Sequence, residues 1–176
     1  ANQYDIKKLI RTIVLSQAYH LDSKVNSKSI PLSDTFARAV DKPLSGEQLF
    51  HSIVVATNST LPETETHKLD RIFVGAFPDL MPDTYTPSLQ QALFLSNSPV
   101  LDQLLKSAPG NTTESLMKLR SDAEKVDAAF LAVLGRAPDT DEKKQCQEIL
   151  AVQPGEKGIR NLLWALITSA DFKVGH

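Results

Sequence analysis

The chain has 176 residues, 41% hydrophobic and 23% charged, with 19 basic against 21 acidic side chains and a formal net charge of −2. This composition is globular rather than disordered, is long enough to bury a sizeable core, and gives no general pull towards nucleic acid or anionic membrane. A single cysteine, Cys146, excludes an intrachain disulfide and a Cys-x-x-Cys-His haem attachment, and no apolar run approaches the ~20 residues of a membrane span.

The chain opens at Ala1 without a methionine or a signal-peptide pattern. Asp5 caps a first helix whose apolar positions, Ile6, Leu9, Ile10, Ile13 and Val14, are expected to form its buried face. Lys7, Lys8 and Arg11 fall opposite and read as a solvated basic face rather than a phosphate patch. Residues 21–31 are polar and aperiodic, an expected loop. A short helix is expected at 34–40 with Phe36 and Ala37 inward, broken by Lys42-Pro43. Ser45 and Gln48 have capping-box spacing and open a helix with Leu49, Phe50, Ile53 and Val54 apolar. Its β-branched run leaves the decision to tertiary packing. Pro62 stands near the start of the next helix, which carries Leu69, Ile72, Phe73 and Ala76 and closes at Phe77-Pro78.

Residues 78–87 hold three prolines and are expected to be largely non-helical, with Thr86 and Pro87 as a cap and first turn. Residues 91–105 give two short helices interrupted at Asn97, the second restarting with Ser98 as cap and Pro99 at its first position. Residues 108–113 read as a loop, and Leu116 and Leu119 as part of a short helix. Ser121 and Glu124 form a second capping box before Ala123, Val126, Phe130, Val133 and Leu134; Gly135 and Pro138 end that helix. Asp139 and Glu142 repeat the box ahead of Cys146, Ile149 and Leu150. After Pro154-Gly155 the stripe Ile159, Leu162, Leu163, Leu166, Ile167 and Ala170 is the clearest in the chain. The helix it implies, about 158–172, is expected to be the most buried, with Trp164 off the stripe on the side of Arg160 and against a second layer. With no repeat and no convincing strand, the expected fold is all-α: an irregular bundle of about eight or nine short-to-medium amphipathic helices. It is expected as one helical domain, 1–176, admitting a subdivision into 1–110 and 111–176.

For chemistry the chain offers little. His20, His51, His67 and His176 form no His-x-x-x-His pair and carry no recurring carboxylate spacing, so no metal, haem or other cofactor is expected. Cys146, between Gln145 and Gln147, reads as a buried, inert thiol. Asn58-Ser59-Thr60 and Asn111-Thr112-Thr113 match the glycosylation triplet, a pattern frequent by chance. Gln91 and Asn97 interrupt an apolar run; they either bond backbone groups freed at the helix break or touch a ligand.

Five strings occur in an order that is informative together: YDIKKLIRTIVLSQAYHLDS at 4–23, FARAVDKPLSGEQLF at 36–50, QALFLSNSPV at 91–100, FLAVLGRAPDTDE at 130–142 and LLWALITSADF at 162–172. With them the chain resembles the planctomycete-type domain of unknown function 1553, the C-terminal domain of large cytochrome-associated proteins. The family pattern ends in Asn-His where this chain has Gly175-His176, and it carries a further stretch ahead of the Tyr4 helix. The resemblance therefore implies the C-terminal part of a larger protein. It also implies export to the periplasm or envelope, an upstream haem-binding module, and surroundings suggestive of polysaccharide breakdown. It implies no catalytic residues.

Three readings follow. The leading one is a non-catalytic helical scaffold or docking module whose partners are other domains of the same protein, with self-association possible through the first helix near Tyr4 and Ile6. The second is an enzyme subdomain completed by an upstream region, with Arg38, His51, Asp70 and Arg71 at its edge. The third, a helix-turn-helix nucleic-acid binder around Gly135, is opposed by the acidic run from Asp139 to Glu142. No nucleic-acid partner and no transmembrane segment are expected.

Overall fold

Side-chain caps at the starts of most helices explain where those helices begin. The computed structural model describes residues 5–21, 42–77 and 89–175. Among them run ten helices, eight of seven residues or more, so the fold is all-α as expected. The expected helix at 34–40, most of the loop at 21–31, the proline-rich segment 78–87, Tyr4 and Arg38 lie outside the described residues. The chain divides into two compact units, Ala1–Lys42 with Gly175–His176, and Pro43–Val174.

In the first unit, α1 (Ile6–Val14) starts where the Asp5 carboxylate accepts from the Lys8 amide at 3.0 Å. The expectation of a buried face fails here: α1 carries no buried residue, and Ile6, Leu9, Ile10 and Ile13 are all at least half exposed. Periodicity specifies an apolar stripe, not what covers it.

In the second unit, α2 (Gly46–Thr57) opens on the complete Ser45–Gln48 capping box and α3 (Glu63–Ala76) on Pro62. Phe50 of α2 and Phe73 of α3 meet at 5.3 Å between ring centroids, and Phe73 continues to Phe94 at 5.1 Å, edge to face. Phe94 lies on α4 (Leu89–Asn97), and α5 (Pro99–Leu105) restarts after the Ser98 cap. The expected loop at 108–113 ends early, because Asn111 caps α6 (Thr112–Met117) by accepting from the Glu114 amide at 2.9 Å, leaving Leu119 beyond the helix end.

Both remaining capping boxes form, at the starts of α7 (Asp122–Leu134) and α8 (Thr140–Val152). Gly135 ends α7 in the left-handed conformation, φ 67°. Then α9 (Glu156–Thr168) buries Ile159, Leu162, Leu163, Leu166 and Ile167 against α7 and α8. It buries six residues, as α2 does, so the two share the place expected for α9 alone. Ser169, extended at ψ 159°, breaks the expected run to Phe172. It caps α10 (Ala170–Lys173), where Ala170 is exposed rather than part of the stripe.

One small element is not visible in the sequence. Lys42–Pro43 (β1) and Val174–Gly175 (β2) pair as a two-residue ladder, and beside it the Leu44 amide donates to the Lys173 carbonyl at 2.9 Å. Two residues are too few to show an alternating pattern. Among the described residues no helix is long and apolar enough to cross a membrane.

Candidate functional site

The helical repeat of α2 places Glu47 and His51 four residues apart on one face, just inside the Ser45 cap. Their neighbour across the helix pair is decided by packing. Gly46 lies against the α3 backbone so closely that a Cβ there would stand 2.7 Å from the Phe73 carbonyl oxygen and 2.8 Å from the Val74 Cα. Only a residue without a side chain permits that approach. The Phe50–Phe73 contact then sets the register, and Asp70, three residues before Phe73, faces the Glu47–His51 pair. One potential ligand atom from each of Glu47, His51 and Asp70 lies within 4.8 Å of the others. Glu47 and His51 are exposed and Asp70 half-buried. Asp70 Oδ1 is shut off from solvent and has no hydrogen-bond partner. Leaving such an oxygen unsatisfied costs ~1–3 kcal/mol or more.

His51 and Asp70, two of the four edge candidates, are thus brought together. Arg71 follows Asp70 but is exposed, and Arg38 lies outside the described residues. Glu47 was missed, although its four-residue spacing to His51 on a capped helix was legible. His67 stands apart from the group, facing Glu63 at 3.8 Å on the surface of α3. Asn97 donates from Nδ2 to the Leu93 carbonyl at 3.1 Å, a bond within α4 itself, while Gln91 is partly buried on α4.

Two other polar clusters are structural in character. Arg136, just after α7, donates to Glu142 at 2.7 and 2.8 Å and to Asp171 at 2.7 and 2.9 Å. The Arg136 guanidinium and the Asp139 amide hold the Glu142 carboxyl down at about 2, and Arg136 is held protonated far above its ordinary range. The basic side chain at the turn between α7 and α8 is therefore already neutralised. Beside α9, a shallow cleft is lined by Leu95, Ser98, Leu101, Asp102, Arg160 and Trp164. Its charges pair with each other, Arg160 with Asp102, and Trp164 Nε1 reaches the Leu95 carbonyl of α4 at 3.3 Å.

The glycosylation triplets have structural work. Asn111 is buried and donates to the Lys106 carbonyl at 2.7 Å; Asn58, left-handed at φ 48°, donates to the Gly110 carbonyl at 2.8 Å. Burial pushes the Cys146 thiol up, as does the nearby Glu142 carboxylate, which disfavours the reactive thiolate.

No curated protein and no solved structure matches the chain. The strings at 91–100, 130–142 and 162–172 that contribute to the family resemblance fall outside the stretch covered by the family comparison. A family model described as PSD1, a protein of unknown function (DUF1553), matches residues 1–72, and within that stretch stand Glu47, His51 and Asp70.

Proposed function

We propose that the chain is a non-catalytic helical module that docks against another part of the same larger protein, exported and cytochrome-associated as the resemblance implies, in a setting of polysaccharide breakdown. The observation that carries this is α1: Ile6, Leu9, Ile10, Ile13 and Val14 form one apolar stripe that stays exposed, from 69% at Ile6 to 37% at Val14. Fully burying such a side chain contributes ~1.5–3 kcal/mol; with these positions about half exposed already, roughly 1 kcal/mol each remains to be gained by a helix laid along the stripe. At 100° per residue only Lys8 of the three basic residues expected opposite the stripe lies there; Lys7 and Arg11 flank the stripe on one side, which suits an apolar partner helix with an acidic flank. The convergence of His51 and Asp70 favours one alternative, the subdomain of an enzyme completed elsewhere in the protein.

Hydrogen exchange of the α1 amides tests the docking reading, measured in this chain and in the full-length protein that contains it. Protection of α1 in the longer protein, abolished by Ile10→Lys with Ile13→Lys, is the expected result. Unprotected α1 amides there refute it, and so does light scattering that shows the stripe closing a dimer of this chain instead.

A further inference from the structure

We propose that Glu47, His51 and Asp70 bind a divalent first-row transition cation, of the zinc or manganese class, that clips α2 to α3. One imidazole and two carboxylates are donors such ions accept, whereas magnesium and calcium sites are built from oxygen alone. Around zinc, bonds of about 2.0–2.2 Å put tetrahedral donors roughly 3.4 Å apart. The present separations, all within 4.8 Å, close to that by side-chain rotation at Glu47 and His51, which are exposed and free to turn.

The backbones beneath need not move. Gly46 against Phe73 and Val74, and Phe50 against Phe73, already pin the two helices together. Exposed histidines near carboxylates are common without a metal, and α3 itself supplies one in His67 with Glu63, both well exposed. What separates the two places is Asp70: its Oδ1 is closed to solvent and lacks any hydrogen-bond donor. A bound cation supplies the positive partner that this carboxylate is missing. Three protein ligands leave a further coordination position, and because Glu47 and His51 are exposed it opens to solvent, where water or an external carboxylate completes the shell. This runs against the expectation of no metal drawn from four dispersed histidines, because two of the three ligands are carboxylates.

The test is isothermal titration of the tag-free, chelator-treated chain with zinc and with manganese, magnesium serving as the control ion. One equivalent of zinc or manganese is expected, with magnesium silent. His51→Ala and Asp70→Asn should each weaken binding at least about tenfold, and His67→Ala should leave it unchanged. Thermal denaturation of the unmodified chain provides a readout that needs no variant: the added metal should raise the midpoint. Absence of a stoichiometric site, binding indifferent to both His51 and Asp70, or loss on His67→Ala each overturns the proposal.

Discussion

Replacing Gly158 by alanine sets helix propensity against packing, and the structure decides which wins. Gly158 sits in the first turn of α9 and is buried. A Cβ there would stand 1.8 Å from the Gln153 carbonyl oxygen and 3.4 Å from Leu150 Cδ2. Gln153 ends α8, with its amide bonded to the Ile149 carbonyl at 3.0 Å, so the obstacle is anchored backbone rather than a side-chain tip. Propensity alone favours alanine by ~0.5–1 kcal/mol. Forcing α8 and α9 apart costs ~1–3 kcal/mol or more, so Gly158→Ala should destabilise the chain by roughly 1–2 kcal/mol. Gly75, in the last turn of α3, is the matched control. It is exposed, and nothing lies within 4 Å of where its Cβ would be. There the same substitution should stabilise by about 0.5 kcal/mol. Urea melts at constant m-value read both effects as shifts of the midpoint in opposite directions. A Gly158→Ala midpoint that rises like that of Gly75→Ala would refute the close approach of α9 to the end of α8.

Leu163→Ala, at a fully buried position, and Leu166→Ala should each cost ~2–5 kcal/mol in the same melts, while Arg160→Ala should cost under about 1 kcal/mol, since its partner Asp102 is largely exposed. The Glu142 carboxyl is held at about 2 in the folded chain against an ordinary 4.5. Its contribution is therefore present above about pH 4.5 and lost as pH falls towards 2. With both partners roughly a third exposed, solvent screening reduces that contribution to about 1 kcal/mol. Glu142→Gln should thus be less stable than the parent at pH 7, with the gap narrowing at pH 2.5; a gap that stays constant with pH contradicts the assignment.

The parts of this fold that could be read from sequence are those set within one turn of helix. The boxes at Ser45, Ser121 and Asp139 each depend on two side chains three residues apart, and all three form. The α9 stripe was legible because five of its six positions share one face, and the sixth, Ala170, was misplaced because Ser169 both ends one helix and starts another. Asn111 escaped notice as a cap because it stands in a polar run that resembles any surface loop. The candidate site was half legible. His51 and Asp70 were singled out as polar residues on helices, but nothing in their 19-residue separation indicates that they meet. That depends on how closely α2 approaches α3, and so on Gly46, whose role shows only when the Phe73 carbonyl is seen beside it. The fate of the α1 stripe was legible least of all, since an amphipathic helix looks the same in sequence whether its face is covered or bare.

The bond from the Leu44 amide to the Lys173 carbonyl has a topological consequence. It ties together the two ends of the Pro43–Val174 unit, so that stretch of chain enters and leaves at one point. A segment with adjoining ends can sit inside a host polypeptide without distorting it, and it tolerates having those ends joined by a short linker and new ones opened in a surface turn. The turn between α8 and α9 is a natural place for such a cut, because Pro154 and Gly155 there are both exposed. For the same reason, peeling the unit from either side must first break the same clasp.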